Sequence, residues 1–146
     1  MPRESGSEPR VMPAPITLVQ RTVTRLDFDG TPRSKGGPGS SGDLDLRIDT
    51  TKRSGVLNGS DAIEATLTVR SRPLGDDPFY TVSAEVRGLY EVSWDKVESY
   101  EGADRFVRLR GMEELYDYFR LIMTIITTDG HYGQMLLPTI AVANID

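Results

Sequence analysis

LYDYFRLIMTIITTDGHYG, Leu115 to Gly133, decides how the rest of the chain has to be arranged. Leu115, Tyr116, Phe119, Ile122, Met123 and Ile126 recur at helical spacing and make one apolar face. Tyr118, Leu121 and Ile125 lie off that face and are apolar too. A helix on the surface of a small domain needs only one apolar stripe. This one carries more, so something besides its own sheet is expected to cover it. Glu113 and Glu114 stand where the helix dipole favours acids, and Asp129-Gly130 is a stop, which sets an expected helix of Met112 to Thr128.

What precedes the helix reads as strand. ITLVQRTVTRLDF, from Ile16, is dense in β-branched residues, with Val19, Arg21, Val23 and Arg25 expected on one face and Ile16, Leu18, Leu26 and Phe28 on the other. DLDLRID alternates strictly, with Leu44, Leu46 and Ile48 on one side and Asp43, Asp45, Arg47 and Asp49 on the other. A loop containing Gly55, Asn58 and Gly59 follows. AIEATLTVRS is a third strand, with Ile63, Ala65, Leu67 and Val69 inward. A fourth, FYTVSAEVRGLYEVSW, sets Tyr80, Val82, Ala84 and Val86 on one face, and Gly88 is expected to mark a bulge or bend. Asp95 to Gly111 is charged and reads as a long crossing connection with aromatic anchors. Residues 1–15, rich in Pro, Ser, Glu and Arg, read as a disordered tail ahead of a single domain over 16–146, and Thr31 to Gly42 has the composition of a flexible loop. Strands first and one long helix after them make the class α+β: a four-stranded antiparallel sheet with a helix on one face, followed by a short C-terminal helix or extended segment.

Composition narrows the chemistry. With no cysteine among 146 residues there is no disulfide, thiolate metal site or cysteine nucleophile. The single histidine, His131, stands just past the helix stop without a Gly-x-Ser-x-Gly elbow, so it reads as a loop residue and no enzyme is indicated. The carboxylates of Asp43, Asp45 and Asp49 splay along a strand and read as a solvated face, so neither metal nor cofactor is expected. A net charge of −5 disfavours nucleic acid as a partner, and no apolar run approaches the roughly 18 residues of a membrane span. The expectation is a soluble cytoplasmic protein.

The order of several short patterns resembles the SecB family of export chaperones and their SecB-like relatives. The first strand carries Val19-Gln20-Arg21, Thr24-Arg25 and Asp27-Phe28-Asp29, then Pro32; the second carries Leu44-Asp45-Leu46; the fourth carries Glu85-Val86 and Gly88-Leu89-Tyr90. The helix carries Leu115-Tyr116, Tyr118, Arg120 and Met123-Thr124, followed by Gly130-His131-Tyr132 and Gln134-Met135-Leu136-Leu137-Pro138. The resemblance spans Ile16 to Asp146.

That resemblance implies an ATP-independent holdase that binds unfolded polypeptides or preproteins in surface apolar grooves. It implies a homotetramer, a dimer of dimers with the helices between two sheets, where partner copies cover Tyr118, Leu121 and Ile125. The other way to cover them is the protomer's own tail, Leu136 to Val142. By family position the client groove takes Leu44, Leu46, Val97, Tyr100, Phe106, Met135 and Leu136, although Leu44 and Leu46 read equally well as core. Contacts to a SecA motor fall on Asp27, Asp29 and Glu85. The export chaperones carry a further tail that docks on the motor, and this sequence stops at Asp146. An antitoxin in a toxin–antitoxin system is therefore the alternative partner. A small-ligand or assembly module on the same frame is the rival outside chaperones.

Overall fold

A computed structural model describes residues 15–30, 42–73 and 80–128. Four antiparallel strands, β1 (Ile16–Gly30), β2 (Gly42–Leu57), β3 (Ser60–Pro73) and β4 (Tyr80–Val92), form one sheet in the order β1-β4-β3-β2. A 3-10 turn, Trp94–Lys96, leads into a single helix, α1, Tyr100–Thr128, which lies on one face. The expected α+β class is what the chain adopts.

Alternation makes the sheet two-faced. Ile63, Ala65, Leu67 and Val69 of β3 and Val82, Ala84, Val86, Tyr90 and Val92 of β4 are buried on the helix side. The opposite face carries Glu64, Arg87, Arg47 and Asp49, tied into cross-strand and same-strand ion pairs. β2 runs further than the expected strand. Its last residues pass a bulge at Gly55, whose N–H is accepted by Asp61 Oδ1 at 2.9 Å, and then reverse through Asn58 and Gly59. Both turn residues have positive φ, 50° and 82°, the geometry of a tight hairpin whose twist matches the strands. The expected loop is therefore a hairpin.

Two further expectations are corrected in the strands. Gly88 is not a bulge: β4 stays in register through it, paired with Ala65 on one side and Arg21 on the other. It is a glycine because the helix comes close. A Cβ there would stand 2.9 Å from Leu115 Cδ2 and 3.0 Å from Leu18 Cδ1. The bulges are in β1 instead, between Leu18 and Gln20 and between Val23 and Arg25. Each extra residue swaps the faces. Ile16 and Leu18 point inward, then Arg21 and Val23, then Leu26, so Val23 joins the core and not the opposite face.

The helix begins at Tyr100, not Met112, so most of the expected crossing connection is helical. Ser99 starts it: its Oγ accepts the Gly102 N–H at 3.0 Å, and its carbonyl accepts the first helical N–H, from Ala103, at 3.1 Å. Ala103, Val107, Gly111, Leu115, Phe119 and Met123 form a buried ridge at every fourth position. That ridge lies across a row of the sheet made of Thr50, Ala65, Gly88 and Arg21, one residue from each strand. Asp104 accepts a hydrogen bond from Thr50 Oγ1, a Cβ on Gly111 would stand 3.2 Å from that of Ala65, Leu115 covers Gly88, and Tyr118 lies under Arg21. The flanking rows, Lys52-Ile63-Tyr90-Leu18 and Ile48-Leu67-Val86-Val23, carry larger side chains. Thr50, Ala65 and Gly88 thus make a trough, and the helix seats in it.

Candidate functional site: a groove beside the first strand

A helix of 29 residues is roughly 43 Å long, whereas four strands spaced about 4.8 Å apart span far less. By Tyr118 the helix has met all four strands. Its remaining turns, from Phe119, keep Phe119 and Met123 buried inward but leave Leu121 and Ile125 53% and 64% exposed, with Ile126 beside them 43% exposed. Tyr118, Leu121 and Ile125 follow one another at i+3 and i+4 and so share a side of the helix. Tyr118 is half-buried, with the Arg21 guanidinium 4.3 Å above its ring; Leu121 and Ile125 are open.

On the β1 side of the helix a groove of about 600 Å³ opens, lined by Ile16 to Arg21, Tyr90, Phe106, Arg110 and Glu114. Its apolar wall is Ile16, Leu18 and Val19 facing Phe106; Val19 and Phe106 are 45% and 43% exposed. Its floor is polar and ordered. The buried Tyr90 hydroxyl donates to Glu114 Oε1 at 2.9 Å, and Arg110 Nη2 stands 3.5 Å from Glu114 Oε2. Burial first, and the Glu114 carboxylate second, push the Tyr90 phenol far above its ordinary range, so it stays a donor. The groove can hold an apolar segment along Phe106 and the β1 wall, and it offers both a cation and a carboxylate at its base.

The sequence-predicted client-groove residues are spread over three places. Phe106 lines the β1 groove. Leu44 and Leu46 sit half-buried at the opposite edge, on β2, packed against the core. Val97 and Tyr100 lie at the helix start, where Tyr100 stacks on Trp94 with ring centroids 6.0 Å apart and Lys52 Nζ stands 5.7 Å from its ring. Trp94 is itself pinned, its Nε1 donating to the Asp61 carbonyl at 3.0 Å. Met135, Leu136 and His131 lie outside the described residues, as do the tail and the Gly-rich loop.

On the outer face Asp27 is paired with Arg25 at 2.9 Å. Glu85 accepts from Thr24 Oγ1 at 2.8 Å and meets Arg87 at 3.1 Å, and the Thr24 hydrogen bond leads the causes that hold its carboxyl below the usual range. Asp29 stands opposite Thr81 in the ladder, and its side chain lies outside the described residues.

Sequence reasoning missed Ile16, Leu18, Val19, Arg21, Arg110 and Glu114 as groove residues. A signal was there. Leu18 to Val23 and Val23 to Leu26 are odd intervals between apolar residues, which an unbroken strand cannot place on one face.

No protein-family model matches the chain, and no curated protein matches it in sequence. The fold has solved counterparts. The chain is similar to Rv1957 of Mycobacterium tuberculosis, a SecB-like chaperone in complex with a ChAD peptide from the HigA1 antitoxin Rv1956. The TM-score is 0.63 at 13% identity, over 86% of this chain and 90% of that one. It is also similar to a protein of unknown function from Streptococcus agalactiae, with a TM-score of 0.53 at 11% identity, over 84% of this chain and 96% of that one. At these identities the shared property is the fold, and that fold is SecB-like.

Proposed function

We propose that this chain is a polypeptide-binding chaperone that holds unfolded or partly folded segments without turning anything over. The observation that carries the proposal is the open, apolar-walled groove between β1 and α1 on a SecB-like frame. Binding many chains needs greasy surface that is not shape-specific, kept from self-adhesion by a charged exterior. Phe106 and Val19 supply the first, and the ion-paired outer face of the sheet supplies the second. The test is suppression of aggregation of a chemically denatured client diluted into buffer. Unchanged aggregation at several-fold molar excess of this protein would overturn the proposal.

The proposal includes assembly. A second copy set against Leu121, Ile125 and Ile126 would cover the part of the helix that the sheet leaves bare, as in a dimer of dimers. Native mass in solution checks it: a compact single chain is the opposing result. Leu44, Leu46, Val97, Tyr100, Met135 and Leu136 belong to the proposed client surface along with Phe106.

The held polypeptide has two candidate kinds. The antitoxin kind is favoured by the SecB-like counterpart, which was solved with an antitoxin peptide. A preprotein passed to a SecA-type motor would use Asp27, Asp29 and Glu85. There the motor would meet Asp27 and Glu85 already engaged by Arg25, Thr24 and Arg87. Charge reversal at Asp27 with motor binding as the readout separates the two.

A further inference from the structure

We infer that Arg21 gives the β1 groove a preference for segments in which an acidic residue stands beside the apolar anchor. The inference rests on the groove holding polypeptide, as proposed above, and adds what that polypeptide should contain. Arg21 reaches the groove only because of the bulge after Leu18, which turns it from the outer face to the helix side. Bulges of this kind re-aim side chains next to binding sites. Once there, its guanidinium lies 4.3 Å above the Tyr118 ring and is solvent-exposed. Among the described residues it forms no ion pair. Its neighbours differ: Arg25 is paired with Asp27, Arg87 with Glu85 and Arg110 with Glu114. Among the described residues the groove's one carboxylate is Glu114, which already takes the Tyr90 hydroxyl and Arg110.

Its place over the Tyr118 ring restrains the guanidinium, and among the described residues no carboxylate occupies its N–H fork. The Ile16, Leu18 and Phe106 wall lies alongside for a neighbouring leucine or aromatic. An acidic residue of the bound segment thus finds a pre-set cation within an otherwise acidic protein of net charge −5.

The test uses two short fluorescein-labelled peptides with the same Leu-Phe-Leu core, one with Glu beside it and one with Gln, titrated by anisotropy against the full chain. The unmodified protein is expected to bind the Glu peptide about threefold more tightly, the order of a partly exposed ion pair, with the preference shrinking as salt rises. Arg21→Gln is expected to bind both peptides alike, at the affinity of the Gln peptide, and Arg21→Lys to restore part of the preference. Equal binding of the two peptides by the unmodified protein overturns the inference while leaving the groove itself standing. No binding of either peptide removes both. A changed native mass in Arg21→Gln with an unchanged peptide preference assigns Arg21 to a subunit contact and also overturns it.

Discussion

The two halves of α1 solve opposite problems. Tyr100 to Gly111 is charged, interrupted by Gly102 and Gly111, and looks from its residues like a connection. It is nonetheless packed on the sheet: Ala103 and Val107 are buried, and Gly111 lies close on Ala65 and Ile48. Around this contact Asp104 takes the Thr50 hydroxyl, and Arg108 pairs with Asp104 at 3.0 Å and reaches the Ile48 carbonyl at 3.4 Å. Met112 to Thr128 carries apolar residues well beyond one stripe, and among the described residues nothing covers Leu121, Ile125 and Ile126. The sheet holds the first half through the close approach of Gly111 and the second through the buried Leu115, Tyr116, Phe119 and Met123. The surplus apolar surface of the other half is what the proposed second copy would cover.

The largest test of this contrast removes the inward anchor of the second half. Phe119→Ala, at a site 1% exposed, should cost about 4 kcal/mol in a denaturant titration, from lost burial and the cavity left behind. A cost near that of a surface change would show that the second half is not packed on the sheet at all.

Next comes the seat of the first half. Gly111→Val puts a branched side chain where even a Cβ is 3.2 Å from Ala65, and should destabilise by about 2–3 kcal/mol despite the removal of a helix glycine. If stability instead rises, the trough is not the seat described here.

The junction of the halves is smaller in effect. Tyr90→Phe removes the hydrogen bond to Glu114 and should cost about 1 kcal/mol at neutral pH. It should also flatten the alkaline limb of stability. Folded Tyr90 holds its proton well above the ordinary tyrosine pKa of about 10, mainly through burial and then through Glu114. Its contribution is therefore complete below about pH 10 and declines above it, where the unfolded chain releases a proton that the folded chain keeps. Unfolding free energies of the protein and of Tyr90→Phe on either side of that pH measure the slope; parallel curves would contradict the assignment.

The smallest expected change in folding is the sharpest for assembly. Leu121→Ser with Ile125→Ser alters side chains 53% and 64% exposed, and should move protomer stability by no more than about 0.5 kcal/mol while lowering the native mass. An unchanged oligomer would locate the subunit contact elsewhere.

Much of this was open to a reader of the residues alone, for physical reasons that differ by element. Strict alternation in Asp43 to Asp49 and in Ile63 to Val69 fixes which side chains go inward, because a strand has a period of two. β1 broke that reading, since its period slips twice, and a slip shows only as odd intervals among Leu18, Val23 and Leu26. The first half of α1 was hidden by its glycines: Gly111 lowers helix propensity locally, while its value lies in a contact with Ala65, distant in the chain. Asn58-Gly59 is the dipeptide of a tight hairpin, which distinguishes it from a loop even in the sequence. Of the groove, Phe106 alone was anticipated. The remaining lining comes from β1, from Tyr90, from Arg110 in a segment that reads as a connection, and from Glu114 in the first turn of the expected helix.

By itself, then, the sequence determined the α+β class, the inward sets of β2, β3 and β4, and the presence of a helix with more apolar surface than one sheet can hide. Those follow from periodicity and local chemistry, which act between near neighbours. The tertiary structure alone decided where the helix sits, how Arg21 comes to the inner face, and that a groove forms beside the first strand. Each of these depends on residues far apart in the chain meeting across a row of the sheet, a coincidence that no local pattern encodes.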